Sequence, residues 1–431
     1  MIRAKSINTL ILASSVLING IYVNNALASD VTLTYMSWDP SQLEVERQAI
    51  EAFESAHPGV RVKTSAVASK HYWTRLSALA AGKSMPDVFM MSSGFIKEWS
   101  ASDLLADLTE QADETVLKVY YPAASAAGLV EGRRYAMPQN WVAPVLYYNI
   151  DMFEAAGVPL PKPDWTWQDF LAAAKALTLD NNEDGKIDQW GMWMFGRYAH
   201  IDAWVFRNGG QYLTDDGSAL SFNPAAVNTL KFLNDLIQVH KVAPKPQEME
   251  GIRHQDVMPM GLAAMFVDGS WFISNTRDIV GDKYRWGIAQ VPLGPDAKAG
   301  AARAYAWSDM LSISADSPNK DLAWEFIQHM SGGERSVSDY QGGKIPAYIA
   351  TAESADFLEQ DQQPANKRLL LKIGQQNTYS GFSANWSAWR GYGASGSGGL
   401  NGELDQAFNG RKSIEEAIEA ATIYGNQVLN N

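Results

Sequence analysis

The chain of 431 residues contains no cysteine. Disulfides, iron–sulfur clusters and thiolate catalysis are thereby excluded. Histidine is sparse, and the six present show no metal-ligand spacing. Basic residues are outnumbered, 35 against 48 acidic, for a net charge of −13. That balance disfavours nucleic acid and anionic lipid as partners. Beyond the first residues, no apolar run is long enough to cross a bilayer. Nucleotide fingerprints are incomplete. Gly82-Lys83-Ser84 has Ser77 where the phosphate loop needs glycine, and Gly391-x-Gly393-x-x-Gly396 opens no βαβ unit. There is no Gly-x-Ser-x-Gly elbow and no repeating period. Paired carboxylates for glycoside cleavage meet only in space, so a secreted polysaccharide-acting enzyme stays open.

What is present begins with an address. Arg3 and Lys5 precede the mostly apolar Ile7–Val23, and Ala26-Leu27-Ala28 is a small-x-small exit. This reads as a secretory signal peptide over residues 1–28. Its removal takes away two positive charges and moves the net charge from −13 to −15. Apolar residues at 46% and charged ones at 19% describe an ordinary globular protein with a substantial core.

Residues 31–36 alternate as a strand, with Val31, Leu33 and Tyr35 on one face. Asp39-Pro40 then reads as a helix start, and Leu43, Ile50 and Phe53 form one helical stripe. A strand at Val60–Val62, a helix at Tyr72–Gly82 and a strand at Asp87–Met91 follow. Such alternation predicts an α/β fold with parallel sheets. In Gly132–Phe170 the pattern is strand, turn at Pro138, second strand to Asn149, and a helix closed by Gly157 in the left-handed conformation. Thr166 and Asp169 have capping-box spacing, with Trp167 and Phe170 on the buried side. Gly393–Gly399 is a low-complexity loop.

Gly132–Phe170 also resembles the pattern G-x-x-Y-x-x-P…Y-Y-N-x-x-x-F-x-x-A-G…P…T-W-x-x-F of extracellular solute-binding proteins of ABC importers, carbohydrate-binding family 1, the maltose-binding-protein-like cluster. PDVFM, GLAAMFVDGSW at 261–271, WGIAQVPLGP and SPNKDLAWEFIQHMSGGE at 317–334 extend the resemblance over nearly the whole mature chain. It implies a two-lobed periplasmic-binding-protein fold (type II), with hinge crossovers and a cleft between lobes. By analogy, residues 30–142 with 305–345 form the first lobe, and 143–304 with 346–431 the second. The implied function is a monomeric, non-enzymatic periplasmic receptor that captures a carbohydrate and delivers it to an inner-membrane ABC permease. A binder of glycerol phosphate or another polyol on the same fold is an alternative. A lipid-anchored relative would need a cysteine at its mature N-terminus, so a freely soluble periplasmic protein is expected.

In open α/β sheets ligands bind beyond the carboxyl ends of strands. Trp38 and Asp39, Ser92 and Ser93, Asn140 and Trp141, Ser270 and Trp271, and Trp307, Ser308 and Asp309 occupy such places. A flat ring beside an amide or carboxylate suits a sugar, whose C–H face stacks and whose hydroxyls need directed partners. Trp204 and Arg390 join them as weaker candidates, with Tyr198 and Trp386. Most tryptophans of so aromatic a chain must still be core. One further motif carries chemistry. Asp180, Asn182, Asp184 and Asp188 stand at positions 1, 3, 5 and 9 of a loop with Gly185 at 6, the spacing of a calcium-binding loop. Lys186 would contribute its carbonyl, and Gln189 could complete the shell. Position 12 is Gly191, not glutamate, so a structural Ca²⁺ is expected and a regulatory switch is not. The alternative is an Asx-rich turn without metal.

Overall fold

The computed structural model describes residues 31–38, 40–194, 198–252, 256–297, 304–332, 344–359, 361–376, 378–379, 382–383, 385–391 and 398–430. Residues 1–30, where a signal peptide is expected, Asp39 and most of the Gly393–Gly399 stretch lie outside them. The strands in chain order are β1 (Val31–Ser37), β2 (Val60–Ala66), β3 (Val88–Ser92), β4 (Leu129–Val130), β5 (Arg133–Arg134), β6 (Met137–Val142) and β7 (Pro144–Asn149). They continue as β8 (Trp190–Trp193), β9 (Ala263–Gly269), β10 (Trp286–Ala289), β11 (Ala304–Tyr305), β12 (Trp307–Ile313), β13 (Ile345–Pro346) and β14 (Thr378–Tyr379).

Two sheets form two lobes. The first runs β13-β6-β12-β3-β1-β2 and the second β10-β7-β9-β8. β1 pairs in parallel with β2 and β3, as the alternation of strands and helices requires. β12 and β13, however, are antiparallel to their neighbours, and in the second sheet only the β8–β9 pair is parallel. Both sheets are therefore mixed. The reason is topological: β12 enters its sheet from the other lobe and runs against strands built by local crossovers.

The turn expected at Pro138 is absent, because Pro138 lies inside β6. It sits where the pairing with β12 shifts register between Asp309 and Met310, a bulge that tolerates a residue without an N–H. The chain passes from β6 to β7, and so from one sheet to the other, through Ala143 alone. It re-enters the first sheet at β12 from β11, which pairs with β14 in a separate two-stranded sheet, through Ala306 alone. All twelve residues of β6 and β7 are buried, as suits strands covered on both faces. A fully buried side chain such as Leu146 or Phe153 contributes about 1.5–3 kcal/mol.

The stripe expected from Leu43 is also revised. The helix breaks at Glu46 into Pro40–Val45 and Arg47–Ala56, and Gln42 and Glu46 are buried where Leu43 is not. The Glu46 carboxylate accepts from Tyr35 Oη (2.9 Å), Gln42 Nε2 (3.1 Å) and Gln139 Nε2 (2.6 Å), tying β1, the helix and β6 together. Local signals read as expected elsewhere. Gly157 has φ of +66°, and Thr166 and Asp169 cap each other reciprocally before buried Trp167 and Phe170.

A third connection runs from Ala347, which accepts from Tyr121 N (2.9 Å) in the first lobe, to Gln363 and Asn366 in the second. Gln363 Oε1 accepts from Trp286 N (2.7 Å), and Asn366 exchanges two bonds with the backbone of Ile288. These amides cover the edge of β10 as a further strand would. The segment is anchored by Lys367, whose ammonium donates to Phe357 O (2.5 Å) and to Glu359 Oε2 (2.6 Å), with Arg277 on the same carboxylate at 2.6 Å. Burial lowers the Lys367 ammonium to about 8 from its ordinary 10.5, although Glu359 opposes the shift.

Between pH 8 and 10.5 the unfolded chain holds a proton on Lys367 that the folded chain has released, so stability should rise with pH across that window. The gain is on the order of 1–3 kcal/mol. Chemical denaturation at pH 8 and pH 10 should show it in wild type and lose it in Lys367→Met.

Candidate functional site

Where the two sheets exchange strands, the carboxyl ends of β1, β3 and β6 meet the start of β12. Register places Ser92, Asp309 and Asn140 side by side across β3, β12 and β6. Strand alternation then puts Trp307, two residues before Asp309, on the same face. Ser308 and Trp141 point to the other face, where Ser308 Oγ donates to Ala124 O (3.3 Å).

Asn140 is fully buried, yet neither atom of its amide finds a partner among the described residues. Its neighbour Asp309 is paired with Lys344 at 3.3 Å, both nearly sealed from solvent. Lys344 was not foreseen, since it precedes a strand by one residue instead of following one. Ser270 anchors the hinge through its N–H, which donates to Ala143 O (2.8 Å), while its hydroxyl is buried without a partner among the described residues. Such groups cost about 1–3 kcal/mol when left unsatisfied, and here the Asn140 amide and the Ser270 hydroxyl are both without partners among the described residues.

Aromatic rings surround these groups. Trp271 and Trp307 lie 5.1 Å apart, and Tyr305 is 5.3 Å from Trp307. On the far side Trp38 is 6.0 Å from Trp73, which stacks on Phe95 at 3.7 Å. Phe95 approaches Trp386 of the second lobe at 6.1 Å, with Phe382 5.0 Å further on. Gly94 makes this approach possible, because a Cβ there would stand 3.2 Å from the Trp386 ring. Trp73, Phe95, Phe382 and Tyr305 were missed by sequence reasoning. They reach the edge from helices and returning segments, so no strand-end rule selects them.

The remaining candidates have other partners or other places, or are not described. Asp39 lies outside the described residues. Ser92 accepts from Gly94 N (3.4 Å), and Ser93 exchanges bonds with the backbone of Ser308. These serines shape the turn after β3. Trp141 packs between Tyr121 and the bare backbone of Gly374. Trp204 is not brought to this edge, because its helix presents it to Phe170 and Phe232 inside the second lobe. Arg390 is likewise interior, fully buried with Asp202 at 2.7 Å and stacked over Tyr212. Burial pushes the Asp202 carboxyl up to about 6 against the pull of Arg390 and Tyr212.

In the Asp180–Asp188 loop the Asp180 carboxylate accepts from the N–H groups of Asp184 (3.2 Å) and Gly185 (2.8 Å). Asp184 accepts from Lys186 N, Asp188 from Asn181 N, and Gln189 Nε2 donates to Leu177 O, each at 2.8 Å. A side chain on Gly191 would strike Ala174 O, which explains why no glutamate stands there. Among the described residues no three acidic or histidine side chains converge on one point. Asn182 Oδ1 likewise accepts from Asp184 N (2.9 Å), so the loop's side-chain oxygens are engaged by its own backbone N–H groups.

Two α/β lobes joined by single-residue strand crossings, with rings and unsatisfied polar groups along the shared edge, define a two-lobed substrate-binding protein. Residues 39–334 match the bacterial extracellular solute-binding protein family, and the chain belongs to it. It is the exported substrate-binding component of an ABC transporter, with the permease as its partner. The sn-glycerol-3-phosphate-binding periplasmic protein UgpB of Escherichia coli is 25% identical over 316 residues, 69% of this chain and 68% of UgpB. An ABC substrate-binding protein of Listeria monocytogenes, solved with cycloalternan, superposes with a TM-score of 0.79 at 25% identity, covering 93% of this chain and 99% of that one. The sugar-binding protein MalE of Xanthomonas citri shares the fold at a TM-score of 0.76 and 18% identity, over 93% and 98% of the two chains.

If the Asn140 amide serves a ligand, Asn140→Leu should leave the melting temperature of the free protein unchanged or raise it, because an apolar isostere removes an unsatisfied group. The same variant should lose most of the thermal stabilisation that ligand confers. A large drop in the stability of the free protein would mean that the amide has a structural partner.

Proposed function

We propose that this protein is a periplasmic receptor that captures a neutral carbohydrate by closing its lobes and passes it unchanged to an inner-membrane permease. The observation that carries the reading is the orphan Asn140 amide set on one sheet edge with the Trp271–Trp307 pair. A sugar needs this combination of apolar ring faces and directed polar partners. The Listeria relative solved with cycloalternan supports it. Glycerol phosphate, the solute in the name of UgpB, is the second reading. It is disfavoured because Lys344 is already neutralised by Asp309, whereas a phosphate calls for uncompensated cations. Binding favours closure only as far as contacts to both lobes exceed those made when open. The lobes are taken as 30–142 with 305–345 and 143–304 with 346–431, the chain acts as a monomer, and residues 1–28 are removed on export.

Thermal unfolding across sugars, polyols and phosphorylated polyols should give the largest shifts with neutral sugars, by RT ln(1 + [L]/Kd). Trp271→Ala should then weaken calorimetric binding by about 1–3 kcal/mol, ten- to hundredfold, with little change in folding. Collapse of stability at unchanged affinity would make Trp271 a core residue. Release of shorter products from an oligosaccharide would replace the receptor with the secreted-enzyme alternative.

A structural Ca²⁺ in the loop of Asp180, Asn182, Asp184, Lys186, Asp188 and Gln189 belongs to the same proposal, supported by the ligand spacing and by the wrapping of the backbone around Asp180. Chelator should lower the melting temperature of wild type while sugar preference is kept, and Asp184→Ala should abolish that response. Equal behaviour of the two proteins would leave an Asx turn.

A further inference from the structure

The third connection between the lobes is held in two different ways. Its first-lobe end is tied through backbone groups, with Ala347 N donating to Gln139 O (3.2 Å) and Ile349 N to Val119 O (2.9 Å). Between Ile349 and Leu369, by contrast, every bond from the described residues to the second lobe uses a side chain. Gln363 and Asn366 cover the β10 edge at Trp286 and Ile288, and Gln363 Nε2 donates to Tyr284 O (3.4 Å). Arg277, on the helix Phe272–Val280, donates to Gln363 O.

One carboxylate gathers this attachment. Glu359 takes Lys367 Nζ and Arg277 Nη1, each at 2.6 Å, and the ammonium lies 4.1 Å from the Phe357 ring centre. Lys367 is 1% exposed and Glu359 25%, so water reaches the acid but not the base. Arg277 Nη2 is buried without a partner among the described residues. The cluster is two cations on one anion. Lys367 and Arg277 are the charges that act on Glu359; Asp356, Asp361 and Arg368 of the same segment and Asp278 beside Arg277 form no bond or ion pair with it among the described residues. Glu359 also has φ of +42°, a left-handed conformation that a residue with a side chain keeps only where its surroundings hold it. Without its charge, two nearly buried cations would face each other uncompensated.

We propose that residues 349–359 and 361–369 form a charge-held strap, which detaches from the second lobe as a unit when Glu359 is neutralised and uncovers the β10 edge while both sheets stay folded. The lobes are then joined through Ala143 and Ala306, and the hinge loosens without any change in the cleft. Burial opposes ionisation of Glu359, but its bonds to Lys367 and Arg277 prevail and hold the carboxyl below its ordinary 4.5. The strap is therefore held above pH 4.5 and released as pH falls through that lowered value.

Hydrogen–deuterium exchange of the whole chain at pH 7, read by mass spectrometry, tests this in wild type, Glu359→Gln, Lys367→Met and the double variant. Glu359→Gln should speed exchange about tenfold or more in the strap and in β10, with β7 and β9 unchanged. In the Lys367→Met background the same substitution should matter less, because Arg277 alone is left uncompensated. No acceleration in Glu359→Gln, equal acceleration across the second lobe, or an undiminished effect beside Lys367→Met would overturn the inference. Should Glu359→Gln not fold, wild type compared above and below pH 4.5, with intrinsic rates corrected, decides the matter. Protection lost in the strap and β10 before β7 and β9 supports the strap, and loss shared equally by all of them overturns it.

Discussion

The rest of the structure depends on the passage of strands directly from one sheet into the other. Between β6 and β7, and again between β11 and β12, one alanine separates two strands that belong to or adjoin different sheets. Buried backbone groups must be paired, and a connection this short leaves no loop in which to hide unpaired ones. The two sheets are therefore held end to end, with buried strand ends on either side of the junction. Ser270 reinforces the junction by donating its N–H to the Ala143 carbonyl. The strands on either side of these alanines are locked in their ladders.

The shared edge is expensive to maintain. An Asn140 amide without a partner among the described residues, a buried Ser270 hydroxyl and the Asp309–Lys344 pair all sit where an apolar core would be more stable. Several buried polar groups elsewhere are well satisfied, although others, such as the Trp167 and Trp204 indole N–H groups, find no partner among the described residues. Glu46 accepts from Tyr35, Gln42 and Gln139, Asp87 binds Thr34, Ser317 and Asn319, and Arg390 lies against Asp202. The edge differs in setting its orphan groups beside a ring that keeps accessible surface, Trp271, and that contrast with sealed interiors separates scaffold from site more clearly than residue type does.

The same contrast explains why tryptophan was an ambiguous guide. Trp204 and Trp271 both follow from plausible positions in the sequence, but one is sealed against Phe170 and Phe232 while the other lies half-open beside Trp307. Trp141 and Asn140 are adjacent in the chain and point to opposite faces of one strand. The bulge at Pro138 helps set that alternation, and it depends on the pairing with β12, more than 160 residues away.

Local chemistry was readable in advance. The capping box of Thr166 and Asp169, the left-handed Gly157, the strands β1 and β3 and the wrapped loop around Asp180 depend on neighbours within a few residues, so the sequence by itself determined them. The family resemblance likewise settled the α/β, two-lobed class. Tertiary structure alone decided the mixed strand directions, the helix break at Glu46, the pairing of Lys344 with Asp309 and the arrival of Trp73, Phe95, Tyr305 and Phe382 at the cleft. Each of these depends on contacts between segments far apart in the chain, whose side chains meet only once both lobes have closed their sheets.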